Sequence, residues 1–281
     1  MQMTKLNFGT AGTPIMSKDR GSLAGVETVA KLGLSAMELE FVRGVRMSTA
    51  LAKQVGAAAA AKEVVLTAHA PYYINLNSPE AQKVKDSMNR ILETARVANA
   101  AGAYSITFHA AYFQGQDALA VYDRVKEQIK SIVNTLRNEG IGLWVRPETT
   151  GKESQLGSLK ETIRLSQDIE QVLPCVDFAH LHARTGKQNS YAEFCDILSE
   201  LEKGLGRTAL DNMHIHMSGI EYTAKGERKH LTLEQSDFRY KELMKAFREY
   251  KLKGVVICES PIIEDDALLM KKTYDSFLCS G

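Results

Sequence analysis

Imidazole and carboxylate groups recur at the ends of short apolar segments of this 281-residue chain. Together they are the ligand set of zinc and similar divalent ions. The segments are LTAHAPYY with His69, ITFHAAYF with His109, CVDFAHLHAR with Asp177, His180 and His182, MHIHMSG with His214 and His216, and GERKH with Glu227 and His230. Two further apolar runs end in a carboxylate: WVRPETTG supplies Glu148 and VVICESP supplies Glu259. A single histidine so placed is more often a hydrogen-bonded core residue or a surface polar group than a ligand. All seven histidines of the chain share the placement, which favours a metal site gathered from several elements.

Such side chains can meet only if the elements carrying them surround one point. Apolar runs at 5–11, 36–41, 64–70, 105–110, 142–148, 175–182, 213–217 and 254–260 read as buried parallel strands. Amphipathic helical stretches separate them. One spans 79–101, with Val84, Met88, Ile91, Leu92, Ala95 and Ala98 at helical spacing, and others span 119–138, 158–170, 190–203 and 237–252. The alanine-rich 57–61 reads as the end of a helix. Eight strands alternating with helices, undivided by any Pro/Gly/Ser linker, predict an α/β chain folded as a single (β/α)8 TIM barrel over residues 1–281. GTAGTP after the first strand lacks the GxGxxG spacing of a doubly wound dinucleotide-binding sheet. Barrel active sites lie at the C-terminal face of the strands, where these candidate ligands fall. Residues two apart on a strand share a face, which aligns His214 with His216, Glu38 with Glu40, and Arg146 with Glu148. For Glu38, Glu40 and Arg146 an internal ion-pair network and a catalytic role both remain open, since charges inside a barrel must be paired or bound to metal.

The composition, 44% hydrophobic and 25% charged, is enough to bury a large α/β core. A net charge of +1 offers no global attraction to nucleic acid or membrane, so a polyanion would have to be bound by a local basic surface. Neither a secretory leader nor an apolar run of about 18 residues is present. Cys175, Cys195, Cys258 and Cys279 show no CxxC spacing, which argues against thiolate zinc and fits a reducing cytoplasm. The expectation is a cytoplasmic protein with no membrane partner.

Taken in order, LTAHAPYYINLNSP, ITFHAAYFQG, PETTGKESQLGS, VDFAHLHARTG, MHIHMSG and VICESP resemble the successive motifs of the endonuclease IV family, through nearly the whole chain. Members are metal-dependent (β/α)8 barrels that cut DNA 5′ to abasic sites, within a superfamily that also contains xylose-isomerase-like sugar enzymes. The resemblance implies zinc, two or three ions per chain, with manganese as an alternative. It assigns His69, His109 and Glu148 to one metal. Glu148 bridges to a second held by Asp177, His214 and Glu259, and Glu148 and Glu259 are the carboxylates assigned to catalysis. A third metal would take His180 and His230. Two cations about 4 Å apart can acidify a water, neutralise phosphate oxygens and stabilise a departing alkoxide, so no nucleophilic side chain is required. The chain indeed shows no GxSxG elbow.

Departures from the family pattern concentrate at the third metal. Where the family has an Asp-Arg-His motif, this chain has GERKH, and Arg228 cannot ligate a cation because guanidinium has no free lone pair. A third ion would therefore recruit Glu227, His182 or His216, or be absent. DNA contact is expected from Tyr72 and Tyr73, which follow the first zinc histidine and could wedge against exposed bases, and from Arg43 and Arg46 in the loop after the second strand. Lys152 and a loop at 225–230, with Lys225, Arg228 and Lys229, could extend a basic rim, although most such residues are simply solvated. The resulting expectation is a monomeric phosphodiesterase acting on damaged double-stranded DNA. The alternatives are a metal-dependent sugar isomerase or epimerase of the same superfamily, and a relative that binds metal or damaged DNA without cutting.

Overall fold

The computed structural model describes residues 3–277, and Cys279 lies outside them. Each apolar run becomes a parallel strand: β1 (Leu6–Ala11), β2 (Ala36–Glu40), β3 (Val65–His69), β4 (Ser105–Phe108), β5 (Trp144–Pro147), β6 (Cys175–Asp177), β7 (Met213–Met217) and β8 (Gly254–Cys258). They pair in the order β5-β4-β3-β2-β1-β8-β7-β6. Parallel bridges Val145–Val172 and Glu148–Cys175 span the remaining seam between β5 and β6. The result is a nearly closed (β/α)8 TIM barrel, as the alternation of runs predicts.

Among the described residues, helices α1 (Ser22–Lys31), α2 (Thr49–Ala61), α3 (Ala81–Ala100), α4 (Ala118–Asn138), α5 (Leu159–Asp168), α6 (Phe178–Thr185), α7 (Tyr191–Leu205), α8 (Arg207–Leu210), α9 (Tyr240–Glu249) and α10 (Ile263–Ser276) connect the strands. Outward-facing strand residues such as Leu39, Leu66, Ile106, Phe108, Val145, Ile215 and Val256 join the helices in the main apolar core. Inside the barrel the only separate apolar cluster among the described residues is Ala36, Val255 and Ile257. Most of the rest of the interior is polar: Asn7, Glu38, Thr67, Ser105, Thr107, Arg146, His214 and His216 are all buried. A barrel that buries so many polar side chains must satisfy them among themselves or with a ligand.

Two expectations are corrected. The run 175–182 is a strand only to Asp177, because the Asp177 carboxylate accepts a 2.7 Å hydrogen bond from His180 N and caps α6. His180 and His182 therefore sit on a helix, where residues two apart point to different sides. The 225–230 stretch is also not a loop. Gly226–Leu231 pairs antiparallel with Gly219–Thr223, forming an arm that projects after β7. No described helix is long and apolar enough to cross a membrane.

Candidate metal centre

At the C-terminal face, strand ends bring three ligand sets together. His69 ends β3, His109 follows β4 and Glu148 follows β5, and their ligand atoms converge. Glu148 also joins Asp177, His216 and Glu259, while His180 on α6 joins Glu227 and His230 of the arm. Their separations are informative. Glu148 Oε2 lies 3.3 Å from His69 Nε2, and Glu148 Oε1 lies 3.4 Å from His109 Nε2 and 3.3 Å from His216 Nδ1. His216 Nδ1 is 3.4 Å from Glu259 Oε1, and His180 Nε2 is 3.4 Å from Glu227 Oε2. Neutral N–H···O bonds cluster near about 2.9 Å. Ligands about 2.0–2.1 Å from a tetrahedral zinc stand roughly 3.3–3.4 Å apart along the tetrahedron's edges. The spacing is compatible with ligands around a cation.

The buried oxygens agree. Glu148 Oε2, Asp177 Oδ2 and Glu259 Oε2 are all buried without a hydrogen-bond donor among the described residues. Leaving such groups bare is costly unless a cation answers them. The histidines are also preset as ligands. His69 Nδ1 faces Ala70 O at 2.6 Å, His180 Nδ1 faces Thr149 O at 3.0 Å, and His230 Nδ1 faces Glu259 O at 3.1 Å. A carbonyl oxygen can only accept, so each of these Nδ1 atoms carries the proton and each Nε2 keeps its lone pair. The residues present therefore fit divalent cations.

Electrostatics without a cation are correspondingly extreme. Burial alone would raise the Glu148 pKa, but His216 and His109 outweigh it and hold the carboxyl well below its usual range. Burial disfavours a charged His69, yet Glu148 and Glu40 push it up to about 10. Burial, then the neighbouring Glu38 carboxylate, drives Glu40 up to about 8. Burial also raises Asp177, to about 6, whereas His180 overcomes burial at Glu227 and brings it down to about 2.

The motif reading needs three adjustments. His216, not His214, reaches the set shared by Glu148, Asp177 and Glu259. His214 sits one strand layer deeper, with its Nδ1 3.0 Å from Ser105 Oγ and its Nε2 2.9 Å from Glu38. His216 consequently is not a recruit of the third set. His182 is not one either, because its side chain leaves α6 in another direction, with Nδ1 2.8 Å from Lys187 O and Nε2 3.3 Å from Asp237. The third set gains Glu227 through a bulge. Glu221 pairs with Lys229 and Tyr222 with Glu227, so Arg228 is the extra residue. That extra residue lets Glu227 and His230, three apart, face the same side. Arg228 turns outward to Glu221 at 2.7 Å. Two glycines seat the arm: a side chain at Gly151 would strike Glu227, and Gly226, at φ +93°, lies against Gly151 O.

Sequence reasoning leaves Glu38 and Glu40 unresolved. Both face the interior as alternation requires, Glu38 fully buried beneath the ligands and Glu40 beside His69 on the adjacent strand. Cys175 also approaches His214 and His216, and burial pushes its thiol up to about 12. On the rim, Tyr72 and Tyr73 are 64% and 70% exposed, which leaves both rings free to meet a ligand. Arg43 and Arg46 line a surface cavity of about 340 Å³ that reaches Glu40. Arg228 and Lys229 both pair with Glu221, which removes much of the basic rim expected from the arm.

A relative from Methanocaldococcus jannaschii, itself uncharacterised, is 43% identical over 271 residues, covering 96% of this chain and 97% of its own. A probable endonuclease 4 of Mycoplasma genitalium is 23% identical over 202 residues, 70% of this chain and 67% of its own. Among solved structures, endonuclease IV from Thermus thermophilus superposes with a TM-score of 0.74 at 18% identity, covering 99% of this chain and 100% of its own. A D-tagatose 3-epimerase-like protein follows at 0.72 and 18%, covering 97% of each chain. At such identities these two likenesses speak for the fold alone. The profile of the xylose isomerase-like TIM barrel matches residues 26–276, and the chain belongs to that family.

Proposed function

We propose that the chain is a metal-dependent phosphodiesterase that cuts DNA 5′ to abasic sites. The observation that carries this reading is the convergence of three ligand sets, two of them sharing Glu148, at cation-ligand spacing. A cluster of divalent cations acidifies water and neutralises charge at a phosphate as its ester bond breaks. His69, His109 and Glu148 would hold one ion, Glu148, Asp177, His216 and Glu259 a second, and His180, Glu227 and His230 a third. Zinc suits these donors, and manganese is the other candidate. Tyr72 and Tyr73, exposed just beyond His69, are placed to press into a duplex, and Arg43 and Arg46 to meet its phosphates.

One observation favours a second reading. Glu148, Asp177, His216 and Glu259 alone form a four-ligand site with Glu40 nearby, enough for a sugar isomerase or epimerase that moves one proton beside one cation. A duplex carrying a single abasic site separates the two readings. The proposal expects a nick on the 5′ side, a 3′-hydroxyl end, and a rate that falls as salt rises, because phosphate contacts release counterions. An intact abasic duplex together with interconversion of a ketose or aldose would transfer the assignment to the sugar enzyme.

A further inference from the structure

Beneath the three ligand sets, the barrel interior holds a further cluster of donors that overlaps them only at His216. The sulfur of Cys175 and a ring nitrogen from each of His214 and His216 lie within 4.8 Å of one another, and all three residues are fully buried. Adjacent strands supply them. Cys175 on β6 pairs with His214 on β7, and alternation brings His216 to the same inner face. From across the barrel, Glu38 on β2 reaches the same rings, with Oε1 2.8 Å from His216 Nε2 and Oε2 2.9 Å from His214 Nε2. Neither approach is a hydrogen bond: both Glu38 oxygens and both Nε2 atoms are buried with no hydrogen-bond partner among the described residues. His216 Nδ1 faces Glu148 Oε1 at 3.3 Å, where an ionised carboxylate can only accept, so the ring proton sits there and Nε2 keeps its lone pair. Ser105 Oγ, 3.0 Å from His214 Nδ1, can accept a proton in the same way and leave that Nε2 free.

Lone-pair nitrogens set against carboxylate oxygens in a dry interior repel unless something positive lies among them. The distances suit a cation, since ligands at right angles about an ion with bonds of 2.0–2.1 Å stand roughly 2.8–3.0 Å apart. We propose that Cys175, His214, His216 and Glu38 form a fourth metal site, buried in the barrel below the others, which takes one divalent transition-metal ion. Sulfur and imidazole among the donors select such an ion over magnesium or calcium. Binding sends the thiol proton to solvent, because a coordinating thiol is deprotonated. Four protein donors leave no open position, so the ion is structural. It ties β2 to β6 and β7 through an interior whose separate apolar cluster is only Ala36, Val255 and Ile257. His216 serves two ions when both its sets are loaded, Nε2 below and Nδ1 above, and its ring proton is then released as well. The site does not depend on which substrate is cut.

The test uses the full chain, stripped with a chelator and titrated with cobalt(II). Among the described residues no other ligand set contains sulfur, so a thiolate-to-cobalt charge-transfer band in the near ultraviolet reports this site. The expected result is a band that saturates at one equivalent, with X-ray absorption at the cobalt edge showing one sulfur at about 2.3 Å. Cys175→Ser should lose the band while the remaining cobalt stays bound and the circular dichroism is unchanged. Absence of the band in the wild type, or its survival in Cys175→Ser, would overturn the proposal. Cobalt bound without the band would still support the metal centre at the C-terminal face. A band in protein that leaves an abasic duplex intact would support the buried site and count against the phosphodiesterase alone. If Cys175→Ser fails to fold, serine placed in turn at Cys195, Cys258 and Cys279 should keep the band, and its loss in any of these would overturn the proposal.

Discussion

The candidate ligands around Glu148 and the candidate set of His180, Glu227 and His230 differ in what holds them. The first group, His69, His109, Glu148, Asp177, His216 and Glu259, stands on barrel strands or within two residues of them. Their positions are set by sheet register: His69 pairs with Glu40 and Thr107, and His216 with Asp177 and Ile257. The second group depends on a helix start and a bulged arm, seated by close contact at Gly151 and Gly226. One part is as rigid as the barrel. The other is only as well placed as its arm, so the two should fail separately and by different routes.

The largest effect should come from Glu148, which belongs to two sets. Glu148→Gln should lose about two equivalents of metal and reduce cleavage by more than about a hundredfold with the fold retained, because a neutral amide is a poor bridge between cations. Elemental analysis and circular dichroism check both halves. Next is the contrast within β7. His216→Asn should empty the set of Glu148, Asp177 and Glu259, whereas His214→Asn should leave that set loaded and lower its affinity by less than roughly tenfold, as expected for a residue one step removed. Equal effects of the two would restore the simpler motif assignment.

Arm variants should be milder and local. Glu227→Gln should remove about one equivalent and leave the Glu148 sets loaded. His182→Asn should leave the metal count unchanged, since His182 only ties α6 to Lys187 and Asp237. Losing one such hydrogen bond costs about 1 kcal/mol, or roughly 2–4 °C in Tm for a chain of this size.

A separate prediction is a pH dependence of the stripped protein. His69, raised from its ordinary 6.5 to about 10, contributes stability that is complete below 6.5 and fades as pH rises through about 10. Glu40, raised from 4.5 to about 8, contributes stability that is lost between those values. Both act in the same direction, so the Tm of metal-free protein should fall from pH 6 to pH 10. Cation binding must displace the His69 proton, so zinc affinity should rise over the same range. Thermal melts and calorimetry in buffers of different ionisation enthalpy measure the two slopes.

The barrel, and the candidate ligands on its strands, can be read from the sequence for one physical reason. Parallel strands buried on both faces read as continuous apolar runs, so a lone His or Glu at the end of a run stands out. His69, His109, Glu148 and Glu259 are legible in that way. The choice between His214 and His216 is not, because both face inward against Glu38 and only the depth along β7 brings His216 to Glu148 and Glu259. Asp177 ends its strand by capping a helix, a role identical in composition to a continuing strand until the 2.7 Å bond to His180 N is seen. Glu227 stands among the candidates in the sequence, but its pairing with His230 depends on the bulge at Arg228, which no local residue pattern declares.

Anomalous diffraction from zinc-loaded crystals, recorded on both sides of the zinc edge, tests the shared centre most directly. The account predicts three peaks at the C-terminal face: between His69, His109 and Glu148; between Glu148, Asp177, His216 and Glu259; and between His180, Glu227 and His230, with the first two about 4 Å apart. A single peak there, at Glu148, Asp177, His216 and Glu259, with the other two sets empty at saturating zinc, would contradict it and favour one-metal sugar chemistry.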